Sequence, residues 1–209
     1  MKKTLLMCAM LLGLQCAVAT PSFAIEQPGF QHKVCENGEP LAQKPGALLD
    51  FIELRHARGF SKAVLKDLQG QTHALNGYKG KLVLVDVWAT WCEPCIRSLP
   101  AIKKLQERYN NDPKSDIRIV SVSVDRSVDD VKKFIKQHGL EGFTTLIDSH
   151  QLLGNDMPLD VIPSFFALDG QGNLLGFVRG YVNWGDDEVH GYLAALAKKY
   201  AKRDGDIVN

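Results

Sequence analysis

An apolar strand that runs directly into a pair of cysteines constrains this chain most. The segment Val83–Ile102 has the sequence VLVDVWATWCEPCIRSLPAI. Its valine-rich start predicts a strand buried on both faces, and Pro94 suits the first turn of a helix that follows. Unpaired backbone N–H groups at a helix N-terminus favour a thiolate over a thiol. Because a thiolate is the nucleophile in disulfide exchange, and a two-residue spacer lets Cys95 close on Cys92, the segment predicts a redox site.

Two other uses of this cysteine pair stay open from the sequence. The pair could supply half of a zinc site, with His32 and Cys35, spaced H-x-x-C, as the remaining ligands. It could also be a purely structural disulfide. A structural zinc site needs four closely held ligands, and a structural disulfide has no reason to begin a helix. We therefore favour redox exchange between Cys92 and Cys95, with no metal and no cofactor.

The N-terminus has the pattern of a secretory signal peptide. Lys2 and Lys3 precede an apolar run over residues 5–19, and Ser22-Phe23-Ala24 places small residues around a cleavage site. A membrane anchor needs about 20 apolar residues, and this run is shorter. We expect cleavage after about Ala24, no stable membrane insertion afterwards, and a periplasmic or otherwise secreted protein. Such a compartment allows disulfides to persist.

Composition limits the number of domains and the kinds of partner. The chain has 209 residues, which suffices for one domain and an extension, and a net charge of +1 without a long basic run. We therefore expect no nucleic-acid partner. The predicted organisation is a signal peptide over residues 1–24, an N-terminal extension over residues 25–60, and a folded domain over residues 61–205.

Hydrophobic periodicity predicts alternating strands and helices. Residues 25–45 show no period, and Leu48, Leu49 and Ile52 are spaced as one face of a short helix over residues 47–57. A hairpin is predicted over residues 63–75, and residues 149–161 are irregular or briefly helical. The remaining strands are predicted over residues 82–88, 117–124, 143–147, 164–168 and 174–178. Three further helices are predicted. The first begins at the cysteine pair and ends near residue 109, the second runs from a cap at Ser127 to Gly139, and the third covers residues 186–202. This order predicts an α/β fold with a mixed central sheet flanked by helices.

Several motifs together resemble those of the thioredoxin superfamily. They are the run VLVDVWATWCEPC, Pro100 eight residues after Cys92, and Ile162-Pro163 at the start of a strand. Three features resemble the secreted TlpA/ResA branch of this superfamily. They are the sequence WATWCEPC, the hairpin ending at Tyr78–Lys81, and the extra segment before Ile162. The resemblance covers residues 60–203. It implies a thioredoxin fold with an N-terminal hairpin and a TlpA-like insertion before a strand that opens with a cis-proline.

The resemblance also implies an activity and a set of roles. Such proteins are thiol:disulfide oxidoreductases that pass electrons to the disulfides of other proteins, often in cytochrome c maturation, and a membrane thiol-disulfide electron donor keeps them reduced. By position, Cys92 is the attacking thiol, Cys95 the resolving thiol, Pro163 the cis-proline facing the sulfurs, and Asp86 the buried carboxylate beneath them. The chain departs from the ResA type at Ser98, where that type carries a glutamate.

Residues around the sulfurs are candidates for proton transfer and substrate binding. Asp86 interrupts an apolar run, where a buried carboxylate is costly unless it is partnered or protonated. It is either a hydrogen-bonded structural acid or, as we favour, a base that takes the proton of Cys95. The candidate substrate-binding residues adjoin the motif: Trp91, Glu93, Pro94 and Ile162.

The direction of electron flow follows from the charge within the motif. The Glu93 carboxylate opposes formation of a neighbouring thiolate, which favours a reductant over a strong oxidant. Together with the electron flow to protein disulfides that the family resemblance implies, this predicts a protein disulfide reductase. A disulfide oxidase or isomerase of the same fold, and a redox-sensing binding module without catalysis, are the alternatives.

Overall fold

The computed structural model describes residues 36–157 and 159–202. The predicted signal peptide, His32 and Cys35 lie outside the described residues. The strands are β1 (Ile52–Arg58), β2 (Val64–Asp67), β3 (Thr72–Ala74), β4 (Leu82–Trp88), β5 (Ile117–Ser123), β6 (Thr145–Ile147), β7 (Ser164–Leu168) and β8 (Leu174–Arg179). The helices are α1 (Glu93–Asn110), α2 (Val128–Gln137), α3 (Leu153–Asp156) and α4 (Asp187–Tyr200), and 3-10 turns cover Gly46–Leu48 and Leu75–Gly77.

The strands of the described chain form one mixed sheet in the order β1-β8-β7-β4-β5-β6-β2-β3. β4 lies inside this sheet, parallel to β5 and antiparallel to β7. β5 is in turn parallel to β6, so α1 and α2 are the crossovers between parallel neighbours. The predicted α/β class with a mixed, helix-flanked sheet is confirmed. The strands and helices predicted after residue 62 are all present, with ends shifted by a few residues at most.

The predicted helix over residues 47–57 is wrong. Only Gly46–Leu48 forms a helical turn, and Ile52–Arg58 is a strand that pairs antiparallel with β8. Its neighbouring side chains differ in burial, with Ile52 exposed and Glu53 buried, as strand geometry requires. The backbone hydrogen bonds that this segment forms with the edge of β8 stabilise the strand more than the apolar spacing of Leu48, Leu49 and Ile52 stabilises a helix. The sheet therefore includes residues from the segment assigned to the N-terminal extension.

The two faces of β4 belong to different parts of the core. Leu82, Leu84 and Trp88 pack with buried residues of α1, α2 and α4. The alternate residues Val83, Val85 and Val87 pack on the other face with residues that include Leu75 and α3's Leu153. Every residue of β4 is buried, which matches the prediction of a strand covered on both sides. The strand thereby holds its C-terminal end, and the cysteine pair beyond it, in a fixed position.

A buried carboxylate joins β1 to α4. Glu53 accepts hydrogen bonds from the Lys199 ammonium (2.8 Å), the Leu41 N–H (2.9 Å) and the Tyr200 hydroxyl. Burial alone raises the pKa of Glu53, but the bonds from Lys199, Tyr200 and Leu41 outweigh it and leave the pKa below its ordinary value. The carboxylate therefore stabilises the fold in its ionised form.

We expect Glu53→Ala to lower the free energy of unfolding by about 3 kcal/mol, because the buried Tyr200 hydroxyl and the half-buried Lys199 ammonium lose their acceptor. Urea denaturation near about pH 7 measures this loss. Since the folded pKa of Glu53 is depressed, its contribution is present above the unfolded value of 4.5 and is lost as pH falls through the folded pKa. The matched control is Glu107→Ala, which breaks an i,i+4 pair with Lys103 and should cost less than about 0.5 kcal/mol. Equal losses in the two variants would contradict the assignment.

Candidate active site

The cysteine pair lies at the junction between β4 and α1. Cys92 is the N-cap residue of α1, and the Cys95 N–H donates to the Cys92 sulfur at 3.3 Å. The two sulfurs form a disulfide, with the Cα atoms 5.2 Å apart. The first turn of α1 contains Pro94, whose missing N–H removes no helical bond. A thiolate on Cys92 would therefore have a backbone donor and the positive end of the helix dipole directed at it.

The loop before β7 faces the Cys92 sulfur. The peptide bond between Ile162 and Pro163 is cis, and the Ile162 carbonyl oxygen lies 3.7 Å from the Cys92 Sγ. The Pro163 carbonyl in turn accepts from the Gly180 N–H at 2.8 Å, which fixes this loop to the end of β8. The structure thus brings Cys92, Cys95, Ile162 and Pro163 together, although they come from distant parts of the sequence.

Asp86 lies on the face of β4 that α1 covers. Alternation along the strand places it with Leu84 and Trp88, which share a core with both cysteines. Its side chain is fully buried, and desolvation raises its pKa from 3.8 to about 7, against a smaller opposing effect of the hydrogen bond from the Ser121 hydroxyl (3.0 Å). A carboxyl group with such a pKa can both accept and release a proton near neutral pH.

An open groove runs beside the disulfide. It has a volume of about 610 Å³, and its lining includes Trp91, Val124, Leu159, Val161 and Ile162. The Trp91 side chain is 69% exposed, and Val161 is also exposed. Trp91 and Ile162 were predicted from the sequence. Leu159 and Val161 were not, because the irregular segment before Ile162 carries no periodic signal.

The other two predicted substrate-binding residues differ in accessibility. Glu93 is exposed in the first turn of α1, and Pro94 is half-buried. On another side of the site, the exposed Tyr181 follows Gly180 and packs under the Arg97 guanidinium of α1, 5.1 Å from the ring centroid. Tyr181 was not predicted, since an aromatic residue in a loop has no distinguishing spacing.

A buried aspartate holds the loop that carries the cysteines. Asp125, just beyond β5, accepts from the Thr90 N–H (2.9 Å), the Thr90 hydroxyl (2.7 Å) and the Ser123 hydroxyl (2.7 Å). Thr90 lies two residues before Cys92, so these bonds fix the position of the loop before the cysteine pair. Asp125 was not predicted as part of the site, because nothing in the sequence pairs it with a residue 35 positions away.

Among residues 36–157 and 159–202, no group of three or more His, Cys, Asp or Glu side chains is arranged to hold a metal ion. With both sulfurs in a disulfide, neither is free as a thiolate ligand in this form. Within the same described ranges, no helix has the length and apolar character needed to cross a bilayer.

Comparison with known proteins assigns the family. Residues 50–196 match the Redoxin family. The thiol-disulfide oxidoreductase ResA of Geobacillus kaustophilus (strain HTA426) is 33% identical over 127 residues, which cover 61% of this chain and 71% of that protein. ResA of Bacillus anthracis is 29% identical over 151 residues, which cover 72% of this chain and 84% of that protein.

Solved structures support the fold. A secreted disulfide oxidoreductase of Mycobacterium tuberculosis, homologous to E. coli DsbE, matches with a TM-score of 0.53 at 20% identity, over 65% of this chain and 96% of that one. The thioredoxin domain of a thiol-disulfide oxidoreductase from Bacteroides vulgatus matches with a TM-score of 0.53 at 22% identity, over 66% of this chain and 95% of that one. At these identities the likeness concerns the fold alone.

The fold, the disulfide at a helix N-terminus and these relatives define a thiol-disulfide oxidoreductase of the thioredoxin superfamily. The chain belongs to the Redoxin family and is a ResA-like member of it.

Proposed function

We propose that this protein reduces disulfides of other extracytoplasmic proteins, with Cys92 as the attacking thiol and Cys95 as the resolving thiol. The observation that carries the proposal is the position of the Cys92 sulfur. It accepts a hydrogen bond from the helix N–H of Cys95 and faces the Ile162 carbonyl beside the groove. Cys95 lies deeper, within the first turn of the helix, where it is nearly inaccessible. Both residues are buried, with Cys92 5% and Cys95 1% exposed, and the position of the Cys92 sulfur beside the Ile162 carbonyl makes it the attacking sulfur.

The exchange proceeds in two balanced steps. The Cys92 thiolate attacks one sulfur of the substrate disulfide, a mixed disulfide forms, and the other substrate sulfur leaves as a thiolate. The Cys95 thiol then loses its proton to Asp86 and attacks Cys92, which releases the second substrate thiolate and closes the Cys92–Cys95 bond. Two electrons pass from the cysteine pair to the substrate. Asp86 must be ionised before the second step, which its pKa of about 7 allows near neutral pH.

The charge around the motif supports the reducing direction. Glu93 is exposed in the first turn of α1, directly after Cys92. Its carboxylate competes with a thiolate for the same positive helix end, so it raises the free energy of the thiolate. A strong oxidant is one whose reduced form is stabilised. Glu93 has the opposite effect, and the pair therefore gives up its electrons readily.

The surface around the sulfurs supports a protein as the substrate. Trp91, Val161 and Tyr181 are large apolar side chains exposed close to the site. Exposed apolar groups that cluster in this way mark an interaction surface. An extended substrate segment in the groove would pair with the backbone at Ile162 while its cysteine meets Cys92. Glu93 and Pro94 would form the edge of this surface on the side of α1.

The cellular setting is part of the proposal. The signal peptide pattern over residues 1–24 supports a periplasmic or otherwise secreted protein, cleaved after about Ala24. Because that compartment is oxidising, a reductant there needs a source of electrons, and we propose a membrane thiol-disulfide electron donor. The resemblance to the TlpA/ResA branch supports cytochrome c maturation as the process served.

Two paired assays test the direction. The dithiol form of the chain without residues 1–24 is mixed with insulin, and its disulfide form is mixed with reduced, unfolded ribonuclease A. We expect stoichiometric reduction of insulin within minutes and little oxidation of the ribonuclease over the same time. Fast oxidation of ribonuclease, together with no reduction of insulin, would contradict the proposed reductase activity and favour an oxidase.

A further inference from the structure

A second cavity lies beside β5, on the edge where β6 is too short to cover it. β6 pairs only with Ser121–Ser123, so β5 has no β6 partner over Arg118–Val120. A cavity of about 190 Å³ occupies this gap, and the hairpin of β2 and β3 closes its other side. It shares no lining residue with the groove beside the disulfide. The cavity is therefore separate from the groove beside the sulfurs.

Polar and charged side chains line part of the cavity, beside apolar ones such as Leu68 and Ile119. Asp67 and His73 of the hairpin form an ion pair at 2.8 Å, and the Arg118 side chain comes from β5. The buried Arg118 Nε has no hydrogen-bond partner in the described structure. A cavity with these groups holds water readily, because water needs several polar partners.

Ser121 connects this cavity to Asp86. Ser121 lines the cavity, and its hydroxyl donates to the Asp86 carboxylate at 3.0 Å. The same oxygen accepts from the Gln106 amide at 3.2 Å. Gln106 is itself held by Thr144, whose N–H donates to the amide oxygen at 2.9 Å and whose carbonyl accepts from the amide nitrogen at 2.8 Å. Ser121 is thus fixed between the buried acid and the cavity.

The proposed exchange creates a need for such a connection. In the mixed disulfide, a substrate protein covers the groove at the moment when Asp86 takes the proton of Cys95. Asp86 is fully buried, so its proton has no direct path to solvent. Because its pKa lies near 7, part of the mixed disulfide forms with Asp86 already protonated. That proton must leave before Asp86 can take the proton of Cys95, and its escape past the sulfurs is blocked while the substrate is bound.

We propose that Asp86 exchanges its proton through Ser121 with water in the cavity beside β5, behind the substrate-binding surface. Protonated Asp86 donates to the Ser121 oxygen, and the Ser121 hydroxyl passes its own proton to a cavity water. The carboxylate is restored, one proton leaves, and no electron moves. The Gln106 N–H occupies the remaining lone pair and orients the hydroxyl. This inference rests on the proposed role of Asp86 as the base.

The test compares substrates that do and do not cover the groove. Single-turnover resolution of the mixed disulfide is measured with insulin and with oxidised glutathione, in the mature chain and in Ser121→Ala. The loss of the hydroxyl alters the basicity of Asp86 equally for both substrates, so the ratio of the two rates isolates the route. We expect Ser121→Ala to slow resolution at least about tenfold more with insulin than with glutathione. Ser121→Thr keeps the hydroxyl and should retain the ratio of the unmodified protein.

Two outcomes would overturn the route. Equal slowing with both substrates means that the proton leaves past the sulfurs, and no slowing with either means that Ser121 takes no part. Asp86→Asn is measured in parallel and should slow resolution of the mixed disulfide with both substrates. It shows whether Asp86 is the base at all, independently of the route by which its proton leaves. If Asp86→Asn leaves both rates unchanged, Asp86 is not the base, and the proposed proton route through Ser121 is also wrong. Thermal unfolding of each variant confirms that the compared proteins are folded.

Discussion

Cys95→Ser is expected to accumulate substrate proteins as mixed disulfides, whereas Cys92→Ser is expected to accumulate none. Without the resolving thiol, the bond formed by Cys92 has no internal nucleophile to break it. Without Cys92, the remaining thiol is buried within the first turn of α1 and has no access to the substrate. Both variants should lose disulfide reduction down to the uncatalysed rate, so trapping, not activity, distinguishes the two roles.

Non-reducing gel electrophoresis after incubation with insulin measures the trapped species. The control is Cys35→Ser combined with Cys95→Ser, because Cys35 is the other cysteine left after the predicted cleavage. The trapped species should persist in this double variant and disappear on addition of dithiothreitol. Identical behaviour of Cys92→Ser and Cys95→Ser would contradict the exchange mechanism and favour a redox-sensing binding module.

Asp86→Asn is expected to slow resolution of the mixed disulfide by about 10²-fold or more near neutral pH, the range typical of a lost general base. The carboxyl group acts as a base only when ionised, and burial raises its pKa to about 7. The resolution rate should therefore rise with pH through about 7 and level off above it. The rate in Asp86→Asn should show no such step.

The matched control is another buried aspartate away from the cysteines. Asp148 is equally buried and accepts the N–H groups of Leu152 and Leu153 at the start of α3. Asp148→Asn should keep the step near pH 7, even if the variant is less stable. If the rise of the resolution rate near pH 7 persists in Asp86→Asn, or is lost in Asp148→Asn, the role assigned to Asp86 is contradicted.

The raised pKa of Asp86 also makes the free energy of unfolding depend on pH. Because the folded value of about 7 lies above the unfolded value of 3.8, Asp86 favours the folded state below pH 3.8, and this contribution is lost as pH rises towards 7. The shift corresponds to a loss on the order of 4 kcal/mol. Asp86→Asn lacks this dependence, so it should gain stability relative to the unmodified protein between about pH 4 and pH 7. Parallel pH–stability curves would contradict the burial of an ionisable Asp86.

The local part of the site was predictable from the sequence, because its signals are local. The apolar run of β4, the cysteine spacing and Pro94 lie within one short segment, and they predicted a strand, a sulfur pair and a helix that the structure contains. The cis bond before Pro163 followed from the family resemblance, not from the residues alone. Asp86 was singled out because an acid in an apolar strand conflicts with its surroundings.

The parts that were missed depend on contacts between distant residues. β1 was mistaken for a helix because its partner, β8, comes more than a hundred residues later. The bonds of Asp125 to Thr90, and of Gln106 to Ser121, join residues on different elements whose individual side chains carry no periodic signal. Polar residues of this kind become recognisable only when the sheet register brings them together.

The central claim is that the Cys92–Cys95 pair supplies electrons to protein disulfides. Its reduction potential tests this claim most directly, measured in the chain without residues 1–24 by equilibration with glutathione or dithiothreitol buffers. We expect a value near about −270 mV, the thioredoxin end of the scale. A value near about −120 mV would make the protein a disulfide donor and would contradict the direction proposed for it.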